Sequence, residues 1–144
     1  MAYHNILVPV DGSETSHAAV EKAVEFAKAF GSKITVVQAL VLDPYIAAEY
    51  ISASQTNDLI ERARTSIEES LAAAKAKFNE QGIEVETKLL EGQVIHREII
   101  RAAEELHADL IIIGSHGRTG FKKLFLGSVA QSLLGESHIP VLIV

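Results

Sequence analysis

The chain has 144 residues, of which 48% are hydrophobic and 22% charged, so it suits one globular domain that buries roughly 68–70% of its unfolded surface rather than a disordered chain. Its net charge of −6 repels nucleic acid and other polyanions unless a local basic patch intervenes. The absence of cysteine excludes disulfides, thiolate metal sites and a cysteine nucleophile, and no apolar run approaches the ~18 residues of a membrane span.

Tyr3 to Val10 carries Ile6-Leu7-Val8-Pro9-Val10, the pattern of a strand buried on both faces, with Pro9 near its end. This segment offers no basic leader and no long apolar stretch, so a cytoplasmic location is the expectation. Asp11-Gly12-Ser13 reads as a turn. From Glu14 to Phe30, Val20, Ala23, Val24 and Ala27 recur at helical spacing, and Gly31-Ser32 stops that helix. Lys33 to Leu40 is a second strand. Leu42 to Asn57, with Pro44, Tyr45 and Tyr50, has no clear period and reads as a long connection holding at most a short helix; the tyrosines suit a packed loop or a lid over a ligand.

Beyond it, Ile60, Ala63, Ile67, Leu71, Ala74 and Phe78 form one stripe of a long helix ending at Gln81-Gly82. Ile83 to Leu90 alternates apolar and polar residues, as a half-exposed edge strand does. Ile95, Ile99, Ala102, Ala103 and Leu106 mark another helix, and Asp109 to Gly114 encloses a buried strand. A loop of about a dozen residues precedes a helix from near Gly127 to Gly135, and Pro140 to Val144 forms the last strand.

Strict alternation of strands and helices implies a doubly wound α/β fold, a five-stranded parallel sheet with helices on both faces. The edge character of the third strand favours the order 3-2-1-4-5. In such a sheet, ligands bind beyond the carboxyl ends of the strands where the order reverses, here between strands one and four. Two loops leave that point: Pro9 to Ser13, and Gly114 to Lys123. The second carries Gly114, Gly117 and Gly120, with Gly127 at the helix junction, and the cations Arg118, Lys122 and Lys123. Glycines admit backbone amides close to a phosphate, and a helix start adds donors, so the composition suits a phosphate cradle. The same residues also suit a solvated connection with Ser128 as helix cap. Asp11 is a metal ligand, a general base or the cap of the first helix.

A P-loop and a G-x-G-x-x-G fingerprint are both absent. Instead, Gly114-x-x-Gly117 is followed by nine residues and then Gly127-Ser128. This G-x-x-G-x9-G-S/T signature, with the opening Ile-Leu-Val-Pro-Val-Asp-Gly-Ser and the closing Pro-Val-Leu-Ile-Val, resembles the ATP-binding branch of the universal stress protein family over the whole length. The resemblance implies a Rossmann-like domain spanning 1–144 that binds ATP with Mg²⁺. Asp11, beside Pro9 and Val10, would lie near the ribose or a phosphate-bound Mg²⁺, and Ala39 and Leu40 would border the adenine. Gly114, Ser115, His116, Gly117 and Arg118 would wrap the ribose and phosphates. Gly127, Ser128, Val129 and Ala130 would donate hydrogen bonds to the outer phosphates.

Ser115 and His116 are sequence neighbours without a third partner or a nucleophile elbow, which argues against a hydrolytic triad. The remaining histidines lack ligand spacing for zinc. The expected role is a nucleotide-responsive binding protein of the stress response. The alternative is an enzyme of the adenine-nucleotide α-hydrolase-like group, with slow ATP hydrolysis or adenylate transfer. Val141, Leu142, Ile143 and Val144 form an apolar strand at the expected sheet edge, where edges are ordinarily guarded by charge or proline. A homodimer through that strand is therefore expected, and the family resemblance implies the same interface.

Overall fold

A computed structural model describes residues 3–41, 53–115 and 126–144. Its sheet is built from β1 (Asn5–Pro9), β2 (Lys33–Val41), β3 (Val85–Gly92), β4 (Leu110–Ile113) and β5 (Val141–Ile143). The order is β3-β2-β1-β4-β5 and every pair is parallel. Four helices among the described residues separate the strands: α1 (Glu14–Phe30), α2 (Ala53–Glu80), α3 (Ile95–Glu105) and α4 (Ser128–Glu136). The expected fold class and strand order are those observed.

Register and alternation divide the core in two. Ile6 and Val8 of β1, Ile34 and Val36 of β2 and Leu110 and Ile112 of β4 pack with Val20 and Ala23 of α1 and Leu71 and Phe78 of α2. Leu7, Val37, Ile111 and Ile113 face the other way, against Ile99 and Ala103 of α3 and Ala130 and Leu133 of α4. Both faces of β1 and β4 are covered, which is why their sequences are continuous apolar runs.

The start of α1 is fixed by three adjacent residues. Asp11 Oδ1 accepts the Ser13 amide at 2.8 Å, and Gly12 takes the left-handed φ of 83° that this turn needs. Ser13 is the N-cap, its hydroxyl oxygen accepting the Ser16 amide at 3.3 Å. Capping therefore falls to Ser13, while Asp11 folds the turn that presents it. Gly31 ends the helix at φ 68°, donating to Ala27 O at 2.8 Å. At the opposite end of the sheet the Asp109 carboxylate accepts the His4 and Asn5 amides at 2.7 and 3.1 Å, locking the starts of β1 and β4 together.

Three expectations shift. The long helix begins at Ala53, within the stretch expected to be a connection as far as Asn57; the rest of that connection, with Tyr45 and Tyr50, lies outside the described residues. The edge strand is Val85–Gly92 rather than Ile83 to Leu90, and Thr87, expected on the inward face, is exposed. The N-cap of α4 is Gly127, not Ser128, and no side chain caps that helix.

Candidate functional site

The carboxyl ends of β1, β2 and β4 open onto a cavity of about 460 Å³, within the range of small-molecule sites. It lies where the strand order reverses, between β1 and β4, and extends across β1 to β2. Pro9, Val10 and Asp11 form its floor from the first strand. Ala39, Leu40 and Val41 come from the second, Ile113 and Gly114 from the fourth. One wall is α2, through Ala63, Ser66 and Ile67; the opposite wall is α3, through Ile95 and Ile99. The stripe of α2 seen in the sequence thus serves both core and cavity.

The first turn of α4 closes the end next to β4, with Ser128, Val129 and Ala130 all on the cavity wall. The first four amides of an α-helix have no acceptor within the helix. Here one is already committed: Gly127 donates to Ser115 O at 2.6 Å. Gln131 N, donating to Gly127 O at 3.0 Å, makes the first intrahelical bond. Among the described residues no acceptor takes the amides of Ser128, Val129 and Ala130, all on residues that line the cavity. With no side-chain cap and no acidic residue in that turn, the positive end of the helix dipole is uncompensated by the described residues there. The arrangement suits an anion.

Nine of the fourteen sequence-expected residues therefore line this cavity: Pro9, Val10, Asp11, Ala39, Leu40, Gly114, Ser128, Val129 and Ala130. Ser115 and Gly127 are not among the residues on its wall. The Ser115 amide donates to Val144 O at 2.8 Å, and the Gly127 amide is spent on Ser115. The Ser115–Gly127 bond thereby sets the start of α4 beside the end of β4. His116, Gly117 and Arg118 lie outside the described residues, as do Lys122 and Lys123.

Sequence reasoning missed Ser16, Gln38 and Ser66, which add polar groups to the wall. Ser16 is buried, and its hydroxyl donates to Ser13 O at 2.8 Å. Gln38 is 9% exposed, and its Oε1 has no hydrogen-bond partner among the described residues. The available signal was Gln38 as the one polar residue inside the apolar run from Val36 to Leu40.

Among the described residues no cluster of three or more histidine, aspartate or glutamate side chains is placed to hold a metal. Among the described residues Asp11 is the one carboxylate on the wall. That donor set fits Mg²⁺ held mainly by phosphate and water, since such sites commonly use only one or two carboxylates. It does not make an all-protein cage. No helix among the described residues is long and apolar enough to cross a membrane.

The sequence profile of the universal stress protein family matches residues 2–144. A universal stress protein of Methanocaldococcus jannaschii is 34% identical over 143 residues, covering 99% of this chain and 82% of the relative. A crystal structure of a family protein from Burkholderia pseudomallei superposes with a TM-score of 0.77 at 28% identity, covering 99% of this chain and 96% of that one. A universal stress protein solved in complex with cAMP gives a TM-score of 0.74 at 26% identity, with 100% and 98% covered.

Proposed function

This chain belongs to the universal stress protein family, and we propose that within it the chain is an ATP-binding regulatory protein of the cytoplasmic stress response. The carrying observation is the amides of Ser128, Val129 and Ala130, which no acceptor takes among the described residues, on one end of a cavity at the sheet's switch point. They receive the phosphates. The base lies at the β2 end against Ala39 and Leu40, and the ribose crosses Pro9, Val10 and Gly114. Neighbouring strands stand about 4.8 Å apart, so β4 to β2 spans about 10 Å, which suits a nucleotide lying across β1. His116, Gly117 and Arg118 complete the phosphate contacts in the family signature. The relative bound to cAMP supports an adenine nucleotide as the ligand class.

Asp11 holds Mg²⁺ on the phosphates, the metal neutralising charge that this acidic chain would otherwise repel. Occupancy ties α4, β1 and β2 to one ligand and so changes stability and partner choice. The protein assembles as a homodimer through Val141, Leu142, Ile143 and Val144. Purified protein, acid-precipitated and assayed by mass spectrometry for released small molecules, should yield an adenine nucleotide near stoichiometric amount. Release of a chemically different ligand at that stoichiometry would contradict the assignment.

A further inference from the structure

Gly127 is the N-cap of α4 and brings no side chain to hold the backbone as it enters the helix. The two peptide groups that flank it are fixed from outside. In the Leu126–Gly127 peptide, the Leu126 carbonyl accepts from Gln131 Nε2 at 2.8 Å and the Gly127 amide donates to Ser115 O at 2.6 Å. Both polar ends of that peptide plane are therefore taken. In the Gly127–Ser128 peptide, the Gly127 carbonyl accepts from Gln131 N at 3.0 Å. A trans peptide is planar and its N–H points opposite to its C=O, so fixing the Gly127 carbonyl also aims the Ser128 amide. Ser128 lines the cavity.

Gln131 thus holds both peptides, one with its side chain and one with its backbone. The backbone bond is the first of the helix ladder, and any residue but proline would make it. The side-chain bond is particular to glutamine. It reaches back five positions, past the helix start, and only the amino group of the side chain can meet a carbonyl there. Gln131 is exposed and is not among the residues on the cavity wall. Its side chain has neither a core to fill nor a ligand to touch, and its bond orients the entry to α4.

We propose that Gln131 is a positioning residue for the phosphate end of the site, its side chain holding the amides of Ser128, Val129 and Ala130 in place before the ligand arrives. The inference rests on the nucleotide reading above and names what aims its phosphate donors. Donors already held in place cost little ordering on binding. The base end, at Ala39 and Leu40 of β2, lies two strand spacings away and gains nothing from this bond.

The test uses Gln131→Met, which keeps side-chain length and helix preference but cannot donate. Calorimetry gives the affinities of Mg-ATP and adenosine for the wild type and the variant, and NMR gives backbone order parameters for both without ligand. The variant should bind Mg-ATP about five-fold or more weaker, within the usual range of coupling between separated groups, and adenosine as the wild type does. The amide order parameters of Gly127 and Ser128 should fall from the rigid value of about 0.85, while those of Leu133 and Leu134 stay unchanged. An unchanged Mg-ATP affinity overturns the inference while leaving nucleotide binding intact. A loss that adenosine shares in equal proportion also overturns it, since that marks a general loosening of the fold. Order parameters unaltered at Gly127 and Ser128 overturn it whatever the affinities. Failure of the wild type to bind Mg-ATP overturns the nucleotide reading and this inference together.

Discussion

The Asp11 carboxylate accepts the Ser13 amide at 2.8 Å and also lines the cavity, so it has a backbone duty and a proposed ionic one. Two substitutions separate them. Asp11→Asn retains an acceptor for Ser13 and should leave unfolding free energy within about 0.5 kcal/mol of the wild type. It removes the charge, so the increase in ATP affinity that Mg²⁺ brings should largely vanish. Asp11→Ala should lose both, with a stability cost of about 1 kcal/mol from the opened turn. Denaturant unfolding and calorimetry with and without Mg²⁺ check the pair; an Asp11→Asn protein with full Mg²⁺ dependence would remove the metal role. At this scale the sequence was partly legible. Asp-Gly-Ser announced a turn at the end of a buried strand, but which of Asp11 and Ser13 caps α1 depends on backbone angles. Gln38 was passed over because burial of a polar side chain is a tertiary fact that its place in an apolar run only hints at.

The elements were legible wherever burial imposed a period. The stripe from Ile60 to Phe78 exists because that face of α2 packs on β2 and β3. The start of the same helix was not legible. Ser54, Gln55, Asn57, Asp58 and Leu59 are exposed there, so no apolar step marks the helix. Thr87 was misplaced for the reverse reason, since an edge strand covered on only part of its face tolerates an outward threonine at an inward register position. Phe78 offers an element-scale prediction. It is fully buried and lies eleven positions beyond Ile67, about 16 Å along the helix from the cavity. Phe78→Ala should cost about 3–5 kcal/mol of stability while leaving the ATP dissociation constant unchanged under folding conditions. Denaturant titration and calorimetry would read the two quantities; a large loss of affinity in fully folded variant would mean that α2 transmits strain to the site.

For the whole molecule, strand order puts β3 and β5 at the two edges. Glu84, Glu86 and Lys88 punctuate the first, whereas Val141 to Val144 is uninterrupted apolar sequence. Bonds between β5 and β4 involve Pro140 O and both Val144 N and Val144 O. By alternation, the backbone groups of Val141 and Ile143 point toward the open side. Leu142 packs inward against the core, so lysine there would disturb the fold as well as an interface. Ile143→Pro is the cleaner probe of the proposed dimer, because it deletes an outward N–H and leaves the β4 ladder bonds in place. Sedimentation at tens of micromolar should give a dimer for the wild type and a folded monomer for the variant; a wild-type monomer would contradict the proposed assembly. Strand order was readable because the alternating third strand marked itself as an edge, and both covered faces because right-handed crossovers place helices on the two sides. The division of labour at the start of α4 was not, since it turns on which amides other backbone groups had already taken. The nucleotide site is tested most directly by thermal unfolding at fixed protein concentration, with and without Mg-ATP. At ATP near 100 times its dissociation constant the native state should gain about 2.7 kcal/mol, whereas an unchanged melting transition at millimolar Mg-ATP would contradict the site.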